Sequence, residues 1–344
     1  GELHSKILTN SHLEFIMKKV AILLSLIVTV FGQPSFTAHN ISTSADGAYF
    51  VHAVDLDGDG DIDVLSALIH DDKIAWYENN GSESFTAHNI STSADGASSV
   101  YAVDLDGDGD MDVLASSKDD DKISWYENNG SESFTTHTIA TSANAPFSVY
   151  AVDVDGDGDI DVLSASIHDD KIAWYENNGS ESFTAHTIST DADYAFSVYA
   201  VDLDGDGDMD VLSASINDDK IAWYENNGSE SFTVHNISTD ADGAESVYAV
   251  DVDGDGDLDL LLASGGDDTI AWYENNGSES FTAHAITTSA DGAYSVYAID
   301  VDGDGDMDVL SASGEDDKIA WYENDGSESF TAHTITTSAD GAET

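Results

Sequence analysis

One stretch of nine residues constrains this chain more than any other: Asp55-Leu56-Asp57-Gly58-Asp59-Gly60-Asp61-Ile62-Asp63. It returns at Asp104, Asp153, Asp202, Asp251 and Asp300, with a period of 49 residues. Five aspartates in so short a run repel one another. At 4 Å each like pair costs about 1 kcal/mol in water and roughly four times that near a protein surface. Packing gives no reason to gather them, so something positive is expected among them. Alternate aspartates, a glycine that turns the backbone sharply, a backbone carbonyl and a closing carboxylate make an oxygen cage for a hard cation. With about 6–8 oxygens at about 2.3–2.6 Å, calcium suits it better than magnesium, which keeps more of its water.

In the first copy the side-chain ligands would be Asp55, Asp57, Asp59 and Asp63, with Asp61 giving its carbonyl and Gly60 making the turn. The equivalent sets are Asp104, Asp106, Asp108, Asp110 and Asp112; Asp153, Asp155, Asp157, Asp159 and Asp161; Asp202, Asp204, Asp206, Asp208 and Asp210; Asp251, Asp253, Asp255, Asp257 and Asp259; and Asp300, Asp302, Asp304, Asp306 and Asp308. One structural Ca²⁺ per repeat is the cofactor expected. The loop starts like an EF-hand but ends differently. An EF-hand closes with a bidentate Glu at position 12, where this chain has Ser66 and Ala115. The flanks, Val51-His52-Ala53-Val54 and Val64-Leu65-Ser66-Ala67, read as strands rather than helices.

The 344 residues carry a net charge of −60, from 69 acidic residues against 9 basic ones, all of them lysine. Such a surface repels nucleic acid and anionic membranes, which are bound through Lys and Arg. The lack of Arg argues against phosphate chemistry, and the lack of Cys removes thiol sites. Near the start, Met17-Lys18-Lys19 followed by the apolar run Val20 to Phe31 resembles a secretory signal, too short to span a bilayer. The expected division is an upstream segment (1–16), a signal peptide (17–32) and a repeat domain (33–344). Secretion would place the domain in calcium-rich surroundings, with no membrane insertion after cleavage.

Each repeat reads as four strands. In the second copy Ser99–Val103 leads into the acidic loop and Asp112–Ser116 leads out. Lys122–Glu127 and Ser133–Ile139 follow, separated by turns of Asn, Gly, Asp and Ser. Pro34 and Pro146 are placed in connections. Four short strands per 40–50 residues is a propeller-blade signature. The pattern Val-Asp-x-Asp-Gly-Asp-Gly-Asp-x-Asp-Val-Leu, followed by Trp-Tyr-Glu-Asn-x-Gly, resembles the FG-GAP/VCBS-type repeat, nearer the VCBS variant. That resemblance implies an all-β propeller of four-stranded antiparallel blades held by calcium loops, as in integrin α-chain heads and lectin-like proteins. It does not imply one ligand. The loop occurs six times, whereas the Ser-Phe-Thr strand occurs seven times, beginning at Ser35. Residues 35–41 are therefore expected as a spare outer strand. The intact ring would have six blades, or seven with one missing.

The recurrent Trp (Trp76 in the first copy) shares a strand face with Ile74 and is expected in the core. The seven outer-strand histidines, His39, His88, His137, His186, His235, His284 and His333, each on a different blade, are expected at the rim. The copies differ mainly in two stretches, before the first strand and after the second. In an up-and-down blade both open on the face opposite the acidic loops. They supply the ligand-binding candidates Tyr49, His70, Lys118, Phe147, His168, Tyr194, Phe196, Asn217 and Tyr294. The function expected is a non-enzymatic adhesion or recognition module for extracellular glycan or protein. The alternatives are a polysaccharide-acting lyase or hydrolase on the same scaffold, or a structural spacer of a larger surface protein.

Overall fold

A computed structural model describes residues 34–82, 84–278 and 280–342. The proposed upstream segment and signal peptide lie outside them. The described residues divide into two compact units, one of residues 39–299 with 306–342 and one of residues 34–38 with 300–305. All the strands belong to the first. In the second, described residues 34–38 form no strand.

Strand-forming residues alternate with turn residues in every repeat, and each repeat folds into one antiparallel sheet. Blade one holds β1 (Ala48–Val54), β2 (Asp63–Leu68), β3 (Lys73–Asn79) and β4 (Phe85–Ser91), paired in that order. The other blades repeat it with β5 to β8 over 97–140, β9 to β12 over 146–189, β13 to β16 over 195–238, β17 to β20 over 244–287 and β21 to β24 over 293–336. The innermost strands are thus β1, β5 (Ala97–Val103), β9 (Pro146–Val152), β13 (Ala195–Val201), β17 (Ala244–Val250) and β21 (Ala293–Ile299). The register Val54↔Asp63 and Ala48↔Leu68 puts the acidic loop at one end of the blade. The variable stretches meet at the other end, where the Ile69 N–H donates to the Gly47 carbonyl at 2.7 Å.

Two expectations need correction. Residues 35–41 are not a strand: among the described residues no Trp-bearing strand pairs with them as β3 pairs with β4. Pro146 is not in a connection but opens β9. The first residue of a strand is a position where the missing N–H is tolerated.

The core lies between blades. Leu65, Ile74 and Trp76 of blade one pack on Val100, Ala102, Val113 and Tyr126 of blade two. Equivalent clusters join each later pair through blades five and six. Every recurrent Trp is 1% exposed, as expected of core. Among the described residues no such cluster joins blade six to blade one. Val51 is accordingly 45% exposed, whereas its counterpart Val100 is 0% exposed. Tyr49 and Tyr294 bridge this seam at one end, hydroxyl to hydroxyl.

Candidate functional site

Two features stand out: the acidic loops at one end of the blades and the central channel that the inner strands enclose. In the loops the glycines take the left-handed backbone that L side chains disfavour, Gly58 at φ 76 and Gly60 at φ 97. The first loop glycine therefore shares the turning role expected of Gly60 alone. Backbone N–H groups are drawn onto the carboxylates. Asp59 donates to Asp57 Oδ1 at 3.0 Å, Asp61 to Asp59 Oδ1 at 2.9 Å and Gly60 to Asp55 Oδ2 at 3.0 Å.

The closing aspartate is fully buried in each copy. Asp63 accepts the Leu56 N–H at 3.1 Å and the Asn79 N–H at 2.7 Å, tying the loop to the third strand. Burial pushes its counterparts Asp112, Asp161, Asp210 and Asp259 up to about 6, against the opposing pull of two backbone N–H donors. Asp57, Asp106, Asp155, Asp204 and Asp253 are also raised by burial first, with the neighbouring aspartates adding to it.

The donor set fits a hard cation. Carboxylate oxygens of Asp55, Asp57 and Asp63 lie within 4.8 Å of one another, as do those of Asp104, Asp106 and Asp108 and of the equivalent groups in later blades. Oxygens around a Ca²⁺ bonded at about 2.3–2.6 Å have this spread. Asp55 Oδ1 and Asp202 Oδ1 are buried without a hydrogen-bond partner, which a bound cation would remedy. The Asp61 carboxylate turns away from this group, to 2.4 Å from where a Cβ on Gly81 would stand, leaving its carbonyl as the donor expected of it. In the second unit, the sixth loop repeats the local pattern, Gly305 N–H to Asp300 Oδ2 at 3.1 Å and Asp304 N–H to Asp302 Oδ1 at 3.1 Å.

Beside the loops, grooves open between neighbouring blades. One of about 280 Å³ is lined by Asp55 and Asp57 of blade one and by Asp110, Asn128 and Glu132 of blade two. Another, of about 90 Å³, repeats the arrangement with Asp204 of blade four and Asp257, Asn275, Ser278 and Phe281 of blade five.

The ligand-binding candidates separate into two groups. Tyr49, Phe147, Phe196 and Tyr294 converge on one aromatic cluster, with Tyr194 packed against it. Ring centroids are 5.2 Å apart for Tyr49–Phe147 and 4.2 Å for Phe147–Phe196. These rings cap the channel at the end away from the acidic loops, and Phe147 and Phe196 are each only 8% exposed. Tyr194 and Ala145 hold left-handed backbone (φ 61 and 51) at a position where other blades use glycine. His70, His168 and Asn217 are exposed on the turns of that end, and Lys118 is half-buried there.

The sequence reading missed the channel wall. Phe50 and His52 line the channel from β1, and Tyr101 takes the place of His52 in the next blade. Tyr150, Tyr199, Tyr248 and Tyr297 continue the belt, with neighbouring centroids 4.9–5.3 Å apart. Period-two alternation of Ser99, Tyr101 and Val103 was the available signal. Six of the outer-strand histidines, His88 to His333, stand at the rim as expected, each stacked on its blade's Trp (His186 on Trp174, centroids 4.5 Å) and bonded to a Glu (His186 Nε2 to Glu176 Oε2, 2.8 Å), whereas His39 lies in a segment that forms no strand.

Fold and loops together define a six-bladed propeller built from acidic-loop repeats. The FG-GAP-like repeat family matches residues 55–115, 104–164, 153–213, 202–262, 251–311 and 300–344, and the chain belongs to that family. No curated protein matches the chain. Among solved structures it resembles an Agrocybe aegerita lectin described as specifically recognising non-reducing terminal N-acetylglucosamine. The identity is 20%, with 90% of this chain and 86% of that one covered, at TM-score 0.62. A catalytically inactive virginiamycin B lyase from Staphylococcus aureus, with quinupristin, is 16% identical over 88% of this chain and 89% of its own, at TM-score 0.62. BBS1N in complex with ARL6DN is 11% identical over 87% and 86%, at TM-score 0.60. Identities this low establish a shared fold only.

Proposed function

We propose that the protein is a secreted, calcium-stabilised propeller that recognises extracellular glycan or protein without chemically altering it. The observation that carries this reading is the recurrence of one polar groove beside the acidic loops, between blades one and two and again between blades four and five. The two grooves differ in size but share equivalent Asp and Asn positions, and such sites recurring around one scaffold suit a repetitive partner. Linking weak sites raises avidity by about 10²–10⁴ where the geometry lets them engage together. A repeating polysaccharide is such a partner. The net charge of −60 favours a neutral glycan over an anionic one. Calcium in each loop would fix the Asp side of the groove and do no chemistry. The lectin among the structural neighbours is consistent with this class of ligand.

The test is a glycan array probed with the protein in millimolar calcium and again in excess EGTA. Binding of a neutral repeating glycan in calcium, lost in EGTA and leaving the glycan intact, is the expected result. A shortened glycan after incubation would replace this reading with a lyase or hydrolase. No binding to any glycan would leave protein as the partner class.

A further inference from the structure

The central channel is a cavity of about 600 Å³, within the range of small-molecule sites. Its wall has an unusual chemistry for so acidic a protein. The belt is His52 followed by Tyr101, Tyr150, Tyr199, Tyr248 and Tyr297, each ring leaning on the next. Serines such as Ser148, Ser197 and Ser246 lie nearer the aromatic cap. No lysine is among the described residues that line it. Burial lowers the His52 imidazole, which favours its neutral form. Burial first, and then neighbouring phenols, push the Tyr150 and Tyr248 hydroxyls far up, so they stay protonated.

The belt region of the cavity is therefore lined by uncharged, largely aromatic groups, and Glu245 stands at its cap end. Its surroundings are anionic. Each wall strand runs past a half-buried valine (Val103, Val152, Val201) directly into the first aspartate of a loop (Asp104, Asp153, Asp202). Even one Ca²⁺ per loop would leave five carboxylates outnumbering its charge. Low-dielectric walls bordered by one sign of charge focus the field into the cavity, and aromatic rings attract cations most strongly where water is displaced.

We propose that this tyrosine-walled channel is a binding site for a small organic cation of the quaternary ammonium class. Such an ion makes little demand for hydrogen bonds, which suits walls of phenyl rings and hydroxyls. An anion would meet the acidic surroundings, and a neutral molecule would gain nothing from them. The aromatic cap formed by Tyr49, Phe147, Phe196 and Tyr294 closes the far end, so entry is from the acidic-loop end or through the seam between blades six and one, where the lining residues Val51 and Tyr297 are exposed. His52 is the one belt position without a phenol. The site is separate from the inter-blade grooves, and its test is independent of glycan binding.

The experiment is isothermal titration of the full chain in saturating calcium at physiological salt, with choline and with its neutral isostere in which carbon replaces nitrogen. Choline is expected to bind and the isostere to bind at least about tenfold more weakly. Tyr150→Leu and Tyr199→Leu should each weaken choline about tenfold or more, and Tyr150→Phe should leave it within about threefold. H52Y, which makes every belt position a tyrosine, should tighten it. Equal binding of choline and the isostere would overturn the proposal, as would choline binding that Tyr150→Leu and Tyr199→Leu leave unchanged. If the leucine variants do not fold, saturation transfer from tyrosine ring protons to the choline methyl groups in the unsubstituted protein decides it. Absence of transfer would equally sink the site.

Discussion

Gly107 and Gly109 hold the second acidic loop at φ 75 and φ 99, and a Cβ added to either would meet nothing within 4 Å. Their need for glycine is conformational, not spatial. Forcing an L side chain into left-handed backbone costs roughly 1–2 kcal/mol. Gly109→Ala is therefore expected to lower stability by about 1 kcal/mol or more in urea denaturation with calcium removed. An unchanged midpoint would mean that the loop holds its shape by some other means. These glycines and the aspartates around them were legible in the sequence because their roles are local and their spacing repeats. The role of Asp112 was only half legible. Its place in the cage follows from spacing, but its bond to the Asn128 N–H at 2.7 Å spans sixteen residues and exists only once the third strand is in place. The aromatic cap was legible as a set of unusual residues and not as a cluster. Tyr49 and Tyr294 are 245 positions apart and meet only when the blades close around the channel.

At the scale of single elements, one comparison separates propensity from context. Residues 35–41 and 84–90 are the same heptapeptide, Ser-Phe-Thr-Ala-His-Asn-Ile. The second copy forms β4 with Trp76 opposite His88, and the first forms no strand. Propensity is identical, so the strand is made by its partner. The inner strands show the converse. Their existence was readable from β-branched and aromatic content, but their facing a channel was not, since alternation alone does not say what lies on either side. The third strand and outer strand are joined by the Trp–His stack, whose two members differ in weight. Trp174 is 1% exposed, and Trp174→Ala is expected to cost about 3–5 kcal/mol through lost burial and the cavity left behind. His186 is about a third exposed and bonded to Glu176. His186→Ala is expected to cost about 1 kcal/mol, in keeping with a surface-side contact. Comparable losses from the two variants in thermal melts would show that the stack, and not burial of the indole, holds the outer strand.

The whole molecule is a row of near-identical blades whose interfaces repeat, so its stability approximates a sum of blade and neighbour contributions. Five of the junctions carry an apolar cluster, while the seam between blades six and one exposes Val51, Tyr297 and Ile299 and is bridged by Tyr49 and Tyr294. Each blade places five aspartates in its loop, so whatever those loops cost or contribute enters that sum once per blade. Without a cation their repulsion acts against closure of the loop in every blade, and a cation that binds only the closed loop acts in the opposite sense in every blade. A site filled at 100 times its dissociation constant adds about 2.7 kcal/mol, so six independent sites would add about 16 kcal/mol. Thermal unfolding in millimolar calcium is thus expected tens of degrees above unfolding in excess EGTA, and the order calcium > magnesium should hold because magnesium retains its water. The size of the shift reports how many loops fill. A shift of a few degrees would mean that one or two bind tightly and the rest tolerate their charge. No shift with either ion would show that the aspartates are accommodated by their backbone N–H donors alone, and the recognition reading would then have to proceed without calcium.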